Sequence, residues 1–169
     1  MRYSLTEDLP YYRMQGVWDM KVAIGNDHGG VELKQYLIKH LQETGHEPVN
    51  FGCDSPESTD YPIYAERVAK AVVAGECDRG ILICGTGIGI SISANKIHGV
   101  RCALCSEPVS ARLSREHNDA NIVAMGARTI GPVMAEAIVD VFLNTGFQAG
   151  RHQRRVDKIM ALDRGESVQ

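Results

Sequence analysis

The segment Gly80–Gly89, with the sequence GILICGTGIG, constrains the fold of this chain more than any other. Its apolar first half is typical of a buried β-strand, and the glycines that follow predict a tight turn. The apolar periodicity from Ile88 to Ile97 then predicts a helix. Because backbone N–H groups in such a loop have no internal acceptor, this strand–loop–helix unit predicts a site for an anion.

Cys84 is the last residue of this predicted strand. In parallel α/β sheets, ligands collect at the carboxyl ends of the strands, so the position of this thiol favours a chemical role. Nearby N–H groups favour the thiolate form of a cysteine, and a thiolate can take a proton from a substrate. Simple burial in the core is the alternative, because cysteine is among the most buried residue types.

The same glycine loop leaves other functions open. Its pattern, GTGIG, differs from the G-x-G-x-x-G of dinucleotide-binding proteins, but Glu107 follows the next predicted strand. An acid that binds the ribose of a dinucleotide would lie there, roughly twenty residues after the loop. A dinucleotide-dependent oxidoreductase and a phosphate- or nucleotide-binding domain without catalysis therefore remain alternatives.

Composition excludes several other classes. The chain has 169 residues, of which 44% are hydrophobic and 23% are charged, and these values are typical of one globular domain. The net charge of -3 gives no basic surface for nucleic acid. No apolar run is long enough for a membrane span, and no secretory signal is recognisable. The chain has five cysteines, an odd number, so we expect a cytoplasmic protein without disulfides. We also expect no nucleic-acid or membrane partner.

Cys102 and Cys105 form a C-x-x-C motif within the segment from Val100 to Cys105. A redox pair would begin at a helix N-terminus, whereas this segment predicts a strand. No second cysteine pair or suitably spaced histidine pair completes a zinc site. We therefore expect buried strand residues here and no metal.

From Met20 onward, predicted strands alternate with predicted helices, which implies a parallel sheet covered on both faces. Strands are predicted at 21–24, 47–50, 80–84, 101–105 and 121–125, and helices at 31–43, 62–74, 88–97, 107–115, 132–143 and 152–162. Residues 1–19 show no clear periodicity, and we expect them to be an N-terminal extension, disordered or added to the natural chain. Residues 20–163 are predicted to form the domain, and residues 164–169 a tail.

Four loops follow the predicted strands and should open on one edge of the sheet. They contain Asp27-His28, Cys84–Gly89, Ser106-Glu107 and Gly126–Arg128. An Asp in this position is also a common helix cap.

Two further groups carry candidate chemistry. The segment His117-Asn118-Asp119 follows a predicted helix, where the alternative is an ordinary helix end. Arg151 and Arg155 are four residues apart, so one helix face presents both guanidinium groups, which can bind a phosphate. The alternative is a solvated basic face.

Taken together, these segments resemble the ribose-5-phosphate isomerase B family, which also includes galactose-6-phosphate isomerase subunits. The resemblance covers about residues 20–163. It rests on DHGG at 27–30, TDYP at 59–62, ICGTGIGIS at 83–91, SEP at 106–108, HND at 117–119 and GRHQRR at 150–155. Some members have a Glu where this chain has Ile90 and lack the cysteine, so this chain is similar to the cysteine-containing branch.

The resemblance implies a Rossmann-like three-layer αβα sandwich with a five-stranded parallel sheet. It also implies a homodimer, possibly a tetramer, that isomerises a sugar phosphate without metal or cofactor, with sites shared between subunits. Ribose 5-phosphate and ribulose 5-phosphate of the pentose phosphate pathway are the implied pair. Galactose 6-phosphate, allose 6-phosphate or a tetrose phosphate remain alternative substrates.

The resemblance also implies a role for individual residues. Cys84 is the implied base, and His117 is the implied group that opens the sugar ring. The implied enediolate cradle comprises Thr86 and the amides of Gly85, Gly87, Ile88 and Gly89. Asp27, Tyr61 and Asn118 are implied to contact the sugar, and His28, Arg128, Arg151 and Arg155 the phosphate.

Overall fold

All strands of the sheet run parallel to their neighbours. The computed structural model describes residues 19–169, so the predicted extension lies outside the described residues except for Asp19. The strands are β1 (Lys21–Asn26), β2 (Glu47–Asn50), β3 (Arg79–Cys84), β4 (Cys102–Leu104) and β5 (Ile122–Gly126), in the order β2-β1-β3-β5-β4. The predicted five-stranded parallel sheet is therefore confirmed.

A helix follows each strand and returns the chain to the opposite edge of the sheet. The helices are α1 (Val31–Glu43), α2 (Tyr61–Val73), α3 (Ile88–Ala94), α4 (Pro108–Asn118), α5 (Pro132–Asn144) and α6 (Gln153–Asp163). None of the helices within residues 19–169 is long and apolar enough to cross a membrane.

The sheet separates two apolar cores, which makes the three-layer sandwich. On one face, side chains such as Ile24 and Val123 pack against α1, α4 and α5. On the other face, Ala23 and Leu82 pack against α2 and α3. Alternate residues of each strand enter opposite cores because successive side chains of a strand point to opposite faces.

The strand order reverses direction between β1 and β3. From β1 the chain first adds β2 on one side, and then adds β3, β5 and β4 on the other. In open α/β sheets, ligands bind beyond the carboxyl ends of the strands at this reversal. Asp27 follows β1 and Cys84 ends β3, so two predicted site residues lie there.

Helix α4 differs most from its prediction. It was expected to end near Arg115, but it continues to Asn118 and includes His117 in its last turn. Asp119 ends it with a left-handed backbone (φ 46°, ψ 44°). No Gly or Pro marks this end, so the sequence pattern alone missed it.

Gly126→Ala tests how closely the backbones approach at the carboxyl edge. A Cβ atom at residue 126 would lie 2.6 Å from the carbonyl carbon of Thr86 and also meet the Thr129 hydroxyl. We expect a loss of about 1–3 kcal/mol in unfolding free energy, measured by urea denaturation, because the backbone must shift. Gly146→Ala is the control, since nothing lies within 4 Å of its added Cβ. Equal stability of the two variants would contradict the close approach.

Candidate active site

The loops after β1 and β3 lie side by side at the carboxyl edge of the sheet. The amide of Asp27 donates to the carbonyl of Ile83 at 3.2 Å, directly before Cys84. The Asp27 carboxylate accepts from the Gly29 amide at 2.9 Å and caps a short 3-10 turn, so the capping role also applies. Its side chain is buried, and it lies next to the end of the strand that carries the thiol.

The sulfur of Cys84 is buried but is not packed as a purely apolar group. The amide of Gly87 donates to Sγ at 3.1 Å. Gly87 has a left-handed backbone, with a φ of 76°, which glycine adopts without the strain that a side chain would bring. The loop therefore orients the sulfur and donates to any negative charge that it carries.

Two amides of the same loop have no protein acceptor. Among residues 19–169, the N–H groups of Gly85 and Thr86 donate to no carbonyl or side chain. The Thr86 side chain is exposed, and its hydroxyl accepts from Ile88 at 3.3 Å. Free amides at the mouth of a loop are suited to bind an oxyanion, as the glycine pattern predicts.

Arg128 lies over this loop. Its amide donates to the Gly85 carbonyl at 3.0 Å. An added Cβ at Gly85 would lie 3.5 Å from the Arg128 Nε atom. The exposed guanidinium thus adds a positive charge beside the free amides.

Tyr61 is the first residue of α2, and its ring contacts the glycine loop at Gly89. Its ring packs so tightly on Gly89 that an added Cβ there would lie 2.5 Å from Cζ. The ring is 39% exposed, which leaves part of it available to a ligand.

His28 is held by the backbone of Thr59. The Thr59 amide lies 3.1 Å from His28 Nδ1, and the Thr59 carbonyl lies 3.2 Å from the same nitrogen. Nδ1 therefore has a partner whether or not it carries a proton, which leaves Nε2 for a ligand.

A second group of predicted residues lies at the opposite edge of the sheet. Because α4 runs antiparallel to the strands, its last turn brings His117 and Asn118 to the amino edge. There Asp119 bonds Arg101, which directly precedes β4. Among residues 19–169, no hydrogen bond or ion pair joins this group to the Cys84 loop.

His152 belongs to this second group and was not predicted as a site residue. Its ring stacks on that of His117 with centroids 4.1 Å apart and an angle of 3° between the planes. The Arg151 Nε atom lies 3.3 Å from its Nε2 atom. The signal available in the sequence was its place between two predicted phosphate-binding arginines.

The arginines differ in detail from the prediction. Arg151 lies in a 3-10 turn (Gly150–His152) that precedes α6, and Arg155 lies in α6 itself. Both side chains are exposed. The Gln148 amide donates to the Glu116 carbonyl at 3.0 Å, which ties this turn to the helix that carries His117.

Glu107 caps a helix instead of offering its carboxylate to a ribose. Its two oxygens accept from the amides of Val109 at 2.6 Å and Ser110 at 2.7 Å. These bonds with Ser110 and Val109 lower the pKa of Glu107. Both oxygens are occupied, so the structure gives no support to the dinucleotide alternative.

The other cysteines have different surroundings. Burial raises the pKa of Cys105 to about 11, and burial raises the pKa of Cys102 still further. Cys102 ends no glycine loop, and it begins β4 as a strand residue. The expectation of two buried strand residues is therefore only partly met: Cys102 is a half-buried strand residue, whereas Cys105 is buried and directly follows the end of β4.

The stacked histidines predict a dependence of stability on pH. Burial, then the charges of His117, Arg151 and Arg155, lower the pKa of His152 below its usual 6.5. Between these two pKa values the unfolded chain binds more protons, so this contribution to stability is complete above pH 6.5 and falls on acidification. We expect the melting temperature of the wild type to fall more than that of His152→Phe between pH 7.5 and pH 5. Parallel pH profiles would contradict a neutral His152 in the folded protein.

The chain is similar to known proteins over most of its length. The ribose/galactose isomerase family model matches residues 22–159. Ribose-5-phosphate isomerase B of Escherichia coli is 53% identical over 143 residues, which cover 85% of this chain and 96% of that protein. The Mycobacterium tuberculosis protein of the same name is 43% identical over 147 residues, which cover 86% of this chain and 91% of that protein.

Solved structures show the same fold. Ribose-5-phosphate isomerase B of Clostridium thermocellum has a TM-score of 0.85 and 52% identity, covering 88% of this chain and all of that one. The type B ribose 5-phosphate isomerase of Leishmania infantum has a TM-score of 0.84 and 42% identity, covering 88% of this chain and 99% of that one. The family model, the sequence identities and the shared fold together show that the chain belongs to the ribose/galactose isomerase family.

Proposed function

We propose that this protein is an aldose–ketose isomerase that interconverts ribose 5-phosphate and ribulose 5-phosphate with Cys84 as its base. One observation carries the chemical part of the proposal. A buried thiol ends β3 beside two backbone amides that have no protein acceptor among residues 19–169. The substrate follows from the relatives, which are named as ribose-5-phosphate isomerases and match most of the chain.

The proposed reaction moves one carbon-bound proton. The Cys84 thiolate takes the proton from C2 of the open-chain aldose, and the electron pair of that C–H bond forms the C1–C2 double bond. The C1 carbonyl oxygen then carries the negative charge. The thiol returns the proton to C1, while the C2 hydroxyl proton moves to O1 and leaves a ketone at C2.

The charge that develops on oxygen sets the main demand on the site. Amide donors that are already oriented stabilise an enediolate without rearrangement, and the loss of one such donor typically costs about a hundredfold or more in turnover. The Gly85 and Thr86 amides fit this role, and Asp27 is close enough to the β3 end to contact the sugar hydroxyls. Because the reaction transfers only protons, these groups suffice without a redox cofactor.

The phosphate needs positive charge at a distance from the reacting carbons. Arg128 and His28 border the Cys84 loop, whereas Arg151 and Arg155 accompany His117 at the other edge. These four groups can therefore bind one phosphate only if a carboxyl edge and an amino edge of the sheet come together. Binding energy from the phosphate then orients the reacting carbons.

We further propose that the edges meet in a homodimer, in which His117, Asn118, Arg151 and Arg155 reach the Cys84 loop of the partner. The antiparallel direction of α4 supports this arrangement. Its eleven residues span about 16 Å, so His117 cannot reach the Cys84 edge of its own sheet. In such a dimer, His117 opens the sugar ring by moving the anomeric hydroxyl proton.

An exposed apolar patch next to the glycine loop also supports a dimer. Ile88 and Ile92 lie one turn apart on α3 and are 52% and 56% exposed. Leu104 is 45% exposed, and its side chain contacts the loop at Gly87. Clustered apolar surface of this kind marks an interaction site.

The proposal also includes the bounds of the domain and the location of the protein in the cell. We assign the isomerase domain to residues 20–163, which include the matched residues 22–159, with residues 1–19 as an extension and 164–169 as a tail. We assign the protein to the cytoplasm because its five cysteines are all unpaired thiols.

Cys84→Ala is the direct test of the mechanism. We expect ribulose 5-phosphate formation to fall to background, because no other group at the end of β3 can take the C2 proton. Binding of ribose 5-phosphate, measured by calorimetry, should change little, since the phosphate contacts remain. Cys77→Ala is the control, because it removes another buried cysteine that lies far from the loop in the turn after α2. Substantial turnover in Cys84→Ala would overturn the assignment of the base.

A mixing experiment tests the shared site. Cys84→Ala chains, expected to be inactive, and His117→Asn chains, expected to keep only a small fraction of the activity, are unfolded, mixed in equal amounts and refolded together. We expect about a quarter of wild-type activity, since half of a random mixture is heterodimer and each heterodimer holds one intact site. The control mixes Cys84→Ala with Asp27→Asn, which lie at the same edge and should restore nothing. Heterodimers without activity in the first mixture would show that Cys84 and His117 act within one chain.

A further inference from the structure

We propose that Asp119 is a positioning residue that fixes His117 and Asn118 by joining Arg101 and Arg115 across the end of α4. This inference rests on the proposed function of His117 but concerns residues that the mechanism does not use. Asp119 is held by its own backbone hydrogen bond, by Arg101 and by Arg115. Each of these contacts helps to fix the turn that carries His117 and Asn118.

The backbone of Asp119 ends the helix in an unusual conformation. Its φ of 46° is one of two positive values among the non-glycine residues of the described chain. Its amide donates to the Arg115 carbonyl at 3.2 Å, which closes the last helical turn. Left-handed backbone is disfavoured for residues with a Cβ, so contacts of the side chain must help to hold it.

Arg101 holds the turn from the strand side. Its Nη2 atom donates to the Asp119 carboxylate at 2.9 Å. Its Nε atom donates to the Asp119 carbonyl at 2.9 Å and lies 3.2 Å from that of Asn118. The Arg101 guanidinium therefore contacts both the Asp119 carboxylate and the backbone carbonyls of Asn118 and Asp119.

Arg115 holds the turn from the helix side. It is 3% exposed, and its Nη1 atom donates to the other carboxylate oxygen of Asp119 at 2.8 Å and to the Ala120 carbonyl at 2.6 Å. Its Nε atom donates to the Thr145 carbonyl at 3.2 Å. His117 and Asn118 thus lie in the chain between two residues that are bonded to each other.

The carboxylate also balances a concentration of positive charge. Burial and the charge of Arg115 lower the pKa of Arg79, and Asp119 acts against this shift. The charge of Asp78 likewise opposes the lowering of the Arg79 pKa. The Arg101 and Arg115 guanidinium groups, however, form ion pairs with Asp119. Loss of the Asp119 charge leaves these two arginines without that partner, so they should separate and release the turn.

Asp119→Asn tests the inference because asparagine tolerates left-handed backbone and keeps the shape of the side chain. Asp163→Asn is the matched control. Asp163 accepts from the Gly99 amide at 2.7 Å and pairs with His98 at 2.9 Å, and it has no hydrogen bond or ion pair with His117 or Asn118. Both variants lose a carboxylate that anchors a turn.

The first measurement needs no activity. The ring signals of His117 and His152 are followed by NMR, with His117→Asn used to assign them, because stacked rings shift each other's resonances. We expect Asp119→Asn to move both signals and Asp163→Asn to leave them in place. Unchanged signals in Asp119→Asn would overturn the proposal, whatever the substrate of the protein proves to be.

The second measurement separates positioning from simple destabilisation. Turnover is compared on ribose 5-phosphate, which closes a ring, and on erythrose 4-phosphate, which cannot close a furanose through its phosphorylated oxygen. For Asp119→Asn we expect a loss of roughly tenfold to a hundredfold on the first and little loss on the second, as for His117→Asn. Equal losses on both substrates would overturn the positioning role. Inactivity of the wild type on ribose 5-phosphate would instead contradict the proposed function.

Discussion

The parallel direction of the five strands is the constraint on which the candidate site depends. It sends every loop that follows a strand to one edge and every loop that follows a helix to the other. Asp27, Cys84 and Arg128 are far apart in the chain, yet they meet because each lies just beyond the end of a strand. The same rule sends His117 away from them, because His117 ends a helix. Strand direction therefore both assembles and divides the site.

The two edges present their charges differently. At the carboxyl edge, the Gly85 and Thr86 amides lack acceptors among the described residues, so both are free to donate to a bound anion. At the amino edge, the positive charges of Arg101 and Arg115 are already bonded to Asp119. The first arrangement is suited to bind an anion, whereas the second is suited to keep a turn in place.

The sequence predicted the elements that follow from periodicity and failed where a side chain decides the geometry. Helix α1 and strand β2 were predicted with their observed bounds, since apolar spacing and turn residues mark both. The order of the strands was not predicted, because pairing depends on contacts between distant segments. The end of α4 was missed because Asp119 adopts left-handed backbone without a glycine. His152 was missed because its stacking on His117 depends on a turn after Ala149, whose φ of 48° has no signature in the pattern.

A two-fold axis limits how the proposed dimer can be built. If the Cys84 loop of one chain faces His117 of its partner, symmetry requires the reciprocal contact, so two equal sites must flank the axis. The surface between the sites then lies near the axis, and each copy must bury the same residues there. Ile88 and Ile92 are the residues that we propose for this surface, because they extend from the glycine loop along α3 and are exposed in the single chain. Since α3 begins at the loop that holds the thiol, burial of its apolar face and completion of the site would be one event in the proposed dimer. On the proposed arrangement, a chain that cannot bury this face would also lack the partner's copy of the histidine proposed to open the sugar ring.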